Sequence, residues 1–109
     1  MNELMLELDV KKNEEKLLEI EVGGQLLYSE AAKFKDTILP YLKEQARVVV
    51  DCTKLDFIDS AGMGSFVRLW KECRIIGADL EFQNVVEHVQ NLLKIARLHQ
   101  LTNISSQTS

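Results

Sequence analysis

The chain has 109 residues, 46% of them apolar and 28% charged, with a single proline; this is the composition of one folded globular domain and excludes a disordered chain or two independent cores. Thirteen basic against seventeen acidic side chains give a net charge of −4 with no basic cluster, which argues against direct contact with nucleic acid. No apolar run approaches the roughly 18 residues that cross a bilayer, and the N-terminus MNELMLELDV lacks a basic stretch followed by an apolar one, so a cytoplasmic protein without a membrane partner is expected.

Leu4, Leu6, Leu8 and Val10 alternate with Glu3, Met5, Glu7 and Asp9, the period of a strand with one face on a core, and predict a first strand over 3–10. The polar run KKNEEK separates it from LLEIEVGG, where Leu18, Ile20 and Val22 alternate with Glu19 and Glu21. These two strands form an antiparallel hairpin, the second ending at Gly23 and Gly24. From Ser29 to about Glu44 the spacing turns helical, with Ala31, Phe34, Ile38 and Leu42 on one face and a start near Tyr28 or Ser29. Pro40 conflicts with a continuous helix, because it lacks a donor and clashes with the preceding turn, so a break near Ile38 is predicted.

RVVVDC, residues 47–52, is a branched apolar run that reads as a strand in the middle of a sheet, buried on both faces. A loop from Cys52 to Asp59 follows. Phe66, Leu69, Trp70, Cys73 and Ile76 then form a helical stripe over 61–76 that Gly77 ends. ADLEF is a short strand, and Val85, Val89, Leu92, Leu93 and Ala96 mark a third helix. The tail NISSQTS is polar and is expected to fray. The order β, β, α, β, α, β, α makes the later strands parallel neighbours joined by right-handed crossovers. Cys52 and Cys73 have no CxxC spacing and no histidines at metal-ligand distance, so they read as reduced, buried thiols, and no metal or cofactor is expected.

The stretch DFIDSAGMGSF, residues 56–66, carries whatever chemistry the chain has. A dinucleotide fingerprint needs three glycines; Gly62 and Gly64 fit two of the positions, but Val67 occupies the third, and no Walker-type loop exists. A nucleophile elbow around Ser60 fails at Ile58, and the only histidines, His88 and His99, lie on or just after the third helix. An enzyme is therefore not expected. Asp59 or Ser60 serves as a helix N-cap, and small neighbours leave the hydroxyl of Ser60 open to a macromolecule. That arrangement suits modification and docking better than catalysis.

VVVDCTKLDFIDSAGMG, together with the N-terminal hairpin, the G-x-L turn at Gly24–Leu26, the helix ending in IIGADLEF and VQNLLKIARLHQL, resembles the anti-sigma factor antagonists, the stand-alone members of the STAS domain family. The resemblance implies an α/β STAS fold over 1–104, with 105–109 as the frayed tail. Its mixed sheet of four to five strands would open with the antiparallel hairpin, and three to four helices would pack chiefly on one face. It also implies that Ser60, directly after Asp59, is a phosphoacceptor. Asp59, Ala61, Gly62, Met63, Gly64, Gln25 and Leu27 would meet the partner, an anti-sigma factor with serine kinase activity, and a PP2C-type phosphatase would reverse the modification. Leu27 and Gln25 stand where that family often carries acids. The other role on this scaffold is an adaptor subunit of a lipid-transport or stress-sensing assembly, some of whose members lack the phosphoacceptor.

Overall fold

The computed structural model describes residues 6–106. Strand β1 (Glu7–Lys12) pairs antiparallel with β2 (Leu17–Leu26), in register from Glu7 opposite Gly23 to Lys12 opposite Leu18. Asn13 closes the turn between them, its Oδ1 accepting the amides of Glu15 at 2.9 Å and Leu17 at 3.1 Å. An Asx turn of this kind allows the positive φ of 64° at Lys16. The hairpin was expected, although the first strand predicted over 3–10 runs on to Lys12, and residues 1–5 lie outside the described residues.

Beyond the hairpin come α1 (Ala31–Ile38), β3 (Arg47–Ile58), α2 (Ser60–Ile76), β4 (Asp79–Val85), α3 (Glu87–Ile95), α4 (Leu98–Leu101) and β5 (Asn103–Ser106). The five strands lie in sequence order across one sheet; β2 to β5 are mutually parallel. Three successive right-handed crossovers that step the same way put every helix on the same side. The core accordingly sits between that side and α1, α2 and α3, with Leu18, Ile20, Val22, Val48, Val50 and Phe82 facing Phe34, Ile38, Phe66, Leu69, Val89 and Leu93. Three rings run through it from α1 to the sheet, Phe34 to Phe66 at 5.7 Å and Phe66 to Phe82 at 4.8 Å between centroids. Phe66 is fully buried at their centre, and truncating such a ring to alanine costs roughly 3–5 kcal/mol. Cys52 and Cys73 are buried and free. Among the described residues no helix is long and apolar enough to cross a membrane.

The break predicted at Pro40 is observed: α1 stops at Ile38 and a 3₁₀ turn, Leu39–Tyr41, takes over. Gly77 ends α2 with φ of 77°, its amide and that of Ala78 returning to the carbonyls of Arg74 and Cys73 at 3.2 and 2.9 Å.

Four expectations need correction. The run at 47–52 is not buried throughout on both faces: Val48, Val50 and Cys52 point into the core, and Val49 on the other side between Glu19 and Glu81 is also buried, but Arg47 there is exposed and Asp51 half-buried. With all helices on one side, the second face of the sheet is covered only by its own side chains, which bury Val49 and leave Arg47 in solvent. Strand β2 does not end at Gly23 and Gly24 but runs through them to Leu26, and the expected loop from Cys52 to Asp59 is the second half of β3. Both differences have one cause. The two strands keep pairing through two register shifts, bringing Gly23 opposite Lys54, Leu55 opposite Gly24 and Ile58 opposite Leu26, so tertiary pairing turns a glycine pair that resembles a turn into bulged strand. The fourth correction concerns the tail: Asn103–Ser106 pair with β4 as an edge strand instead of fraying, with Ile104 opposite Phe82 and packed on the core. Residues 107–109 lie outside the described residues.

Candidate functional site

Because β2 and β3 end together, with Leu26 opposite Ile58, the chain leaves both strands at the same place. β2 passes into the 3₁₀ turn Tyr28–Glu30, and β3 passes through a single residue, Asp59, into α2. Asp59 joins the two exits. Its backbone is extended, its Oδ1 accepts the amide of Gly62 at 2.8 Å as the N-cap of α2, and its Oδ2 accepts the amide of Tyr28 at 2.9 Å. Its carbonyl accepts the amide of Met63 at 2.9 Å, closing the first turn of the helix. The bond from Gly62 holds the Asp59 carboxyl below the usual carboxylate range, against an opposing effect of burial and with further help from the amide of Tyr28.

Ser60 is the first residue of α2 and is exposed; among the described residues its hydroxyl makes no hydrogen bond. It stands at the end of a 17-residue helix, where free amides and the aligned peptide dipoles present partial positive charge. Neither His88 nor His99 bonds to it among the described residues. His99 belongs to a different surface, a cleft it lines with Arg47, Trp70, Arg74 and Asp79.

Gly62 and Gly64 are two residues apart and differ in purpose. A Cβ on Gly62 would sit 2.1 Å from the carbonyl oxygen of Leu26 and 3.1 Å from Cβ of Ile58, so only glycine lets α2 approach the end of β2 this closely. Gly62 is buried, and of the residues expected to face a partner it lies beneath the surface. Gly64 is exposed, and a Cβ there would meet nothing within 4 Å. Met63 is half-buried against the core, Ala61 is half-buried, and Gln25 and Leu27 are half-buried at the end of β2, Gln25 opposite Phe57.

Three side chains around this surface escaped the sequence reading. Tyr28 is 81% exposed next to the Asp59 bond, and Phe57, 41% exposed, stacks on His88 from the start of α3 with ring centroids 4.5 Å apart and 19° between planes. Taking Phe57 for part of a loop hid it. Its neighbour Ile58 points into the core, so Phe57 points out; the register shift between Leu55 and Phe57 breaks the alternation that would otherwise have turned both the same way.

The STAS domain family model matches residues 7–109. The chain belongs to the STAS domain family. This STAS domain is 24% identical over 103 residues to the anti-sigma-B factor antagonist of Bacillus subtilis (strain 168), an alignment that covers 94% of each chain. It superposes on an anti-sigma factor antagonist from Mycobacterium paratuberculosis with a TM-score of 0.80 at 11% identity, covering 92% of this chain and 85% of that one. The unphosphorylated form of the Bacillus antagonist SpoIIAA matches with a TM-score of 0.69 at 12% identity, covering 94% and 90%. Its phosphorylated form matches at 0.66 and 14%, covering 92% of each. At these identities the structural likeness is one of fold, and the STAS domain carries its five-stranded mixed sheet and four helices as that fold implies.

Proposed function

We propose that this protein is an anti-sigma factor antagonist whose binding to an anti-sigma factor with serine kinase activity is switched off by phosphorylation of Ser60. The observation that carries the proposal is the unengaged, exposed hydroxyl at the first position of α2, set beside an N-cap that takes the Gly62 amide. The names of the Bacillus and Listeria relatives, anti-sigma-B factor antagonists, support the same reading. Such a partner places the protein in the cytoplasm.

In the modification the Ser60 oxygen attacks the terminal phosphorus of ATP. Its O–H bond breaks, the proton passes to a base of the kinase, and ADP leaves. A PP2C-type phosphatase hydrolyses the ester and restores the hydroxyl. The product group carries about −1.5 to −2 charges near neutral pH. At the start of α2 the helix dipole and free amides offset that charge, so the monomer keeps its fold.

Under a docked partner the balance reverses. The phosphate must lose its water beside the ionised Asp59, and an unpaired charge in an interface costs several kcal/mol. A loss of about 3–4 kcal/mol lowers affinity by roughly two to three decades, enough to release the partner without refolding either protein. Incubation with ATP and the cognate anti-sigma kinase, followed by mass spectrometry, is expected to locate phosphate on Ser60 alone. Phosphate on Ser29 or Ser65 instead, or none, contradicts the proposal. Stable co-purification with transporter or scaffold subunits and no kinase would favour the adaptor role.

A further inference from the structure

Beside Ser60, α1 and α2 diverge and leave a groove of about 340 Å³, walled by Ala31, Lys35 and Leu39 on one side and by Ala61, Gly64 and Arg68 on the other. The α1 wall follows the i, i+4, i+8 spacing of one helical face, and Ser60, Gly64 and Arg68 share such a face on α2. Ser60 therefore stands one turn before Gly64 in the line of this groove. Ala61, the next residue, lines the groove, so a partner seated on the hydroxyl reaches it by extending one helical turn along α2.

Gly64 has no internal reason to be glycine. It lies inside a helix, outside the left-handed region, and a Cβ there would touch nothing within 4 Å. Glycine weakens a helix relative to alanine, so the monomer is less stable for having it. Its one structural effect is to leave the groove open, letting an outside chain come against the α2 backbone. The groove also lacks polar groups where they would be expected: the Ser65 hydroxyl turns back to the Ala61 carbonyl at 3.2 Å. Its cations sit at the rim. Arg68 is held by Glu72 at 3.1 Å, while Lys35 has no ion pair among the described residues.

We propose that this groove is the second half of the partner surface and takes an amphipathic helix of the anti-sigma kinase, apolar on the inserted face and carrying a carboxylate opposite Lys35. The inference rests on the antagonist reading above. Lys35, the rim cation without an ion pair among the described residues, selects an acidic flank over a basic one, and the continuity with Ser60 selects the kinase over an unrelated partner.

The test is the affinity of the purified cognate kinase for Gly64→Gln, Gly64→Ala, Lys35→Glu and the Ser60-phosphorylated protein, each checked by thermal unfolding. Gly64→Gln should melt at or above the wild-type temperature yet bind at least tenfold more weakly, with Gly64→Ala intermediate. Lys35→Glu, an exposed change, should keep the fold and also bind at least tenfold more weakly, with most of the loss disappearing at high salt. Wild-type affinity for Gly64→Gln and Lys35→Glu, with binding still abolished by phosphorylation, overturns the groove and leaves the switch standing. Failure of the kinase to bind the unmodified wild-type protein overturns both.

Discussion

Substituting Gly62 and Gly64 by alanine should move stability in opposite directions, although the residues are two apart on one helix. At Gly62 the new methyl would lie 2.1 Å from the Leu26 carbonyl oxygen, so about 1.3 Å of displacement is needed to reach the 3.4 Å of ordinary contact. The obstacle is backbone, which cannot rotate aside. Moving α2 outward would stretch the bonds from Asp59 to Gly62 and Tyr28, now 2.8 and 2.9 Å. Overpacking of this kind costs about 1–3 kcal/mol and occasionally more; with a rigid obstacle about 4 kcal/mol is appropriate, less about 1 kcal/mol gained in helix propensity. The net loss of about 3 kcal/mol corresponds to a melting temperature lower by roughly 12 °C in a domain of this size. Gly64→Ala meets no neighbour and keeps only the propensity gain, about 1 kcal/mol or roughly 4 °C upward. Thermal unfolding followed by circular dichroism reads both. A Gly62→Ala protein that melts within about 2 °C of wild type would refute the close packing of α2 on the end of β2, and a Gly64→Ala protein that melts lower would refute the open position assigned to Gly64.

Asp59→Ala should cost about 1 kcal/mol at pH 7, the usual value of a lost N-cap, measured by urea denaturation. Because the folded-state carboxyl titrates below its ordinary value of 3.8, its contribution is fully present above that value and is lost as pH falls through the folded one; the mutant and wild-type curves should therefore converge in acid. Phe57→Ala and His88→Ala, combined in a double-mutant cycle, should show a coupling of about 0.5–1 kcal/mol from their stack, and additivity would count against that contact. Burial pushes the Cys73 thiol up to about 12 and the Cys52 thiol higher still. Neither should react with a thiol reagent at pH 8 until denaturant is added.

Where the sequence spoke plainly, local chemistry and tertiary packing agreed. Leu18, Ile20 and Val22 alternate because one face of β2 is buried, Pro40 ends α1 because it lacks a donor, and Gly77 closes α2 because it alone takes the left-handed turn there cheaply. Where pairing overrode local signals, the reading failed. Gly23 and Gly24 look like a turn, and CTKLDFID looks like a loop, but each supplies the other with a parallel partner across two bulges. The edge strand Asn103–Ser106 is short and polar, so no period marks it; β4 alone gives it a place. At the site, Ser60, Asp59 and the two glycines were legible from the motif, since each is a local device of the helix start. Phe57 meets His88 from an element far away in the chain, and Tyr28 is tied to Asp59 across a separation of 31 residues, contacts that a single sequence does not display.

The measurement closest to the central claim is a calorimetric titration of the cognate anti-sigma kinase with two preparations of this protein, one unmodified and one stoichiometrically phosphorylated on Ser60. The account predicts binding of the first, a fall in affinity of at least about 100-fold for the second, and superimposable circular dichroism spectra for the two. Equal affinities, or a phosphorylated protein that has lost its fold, would contradict it.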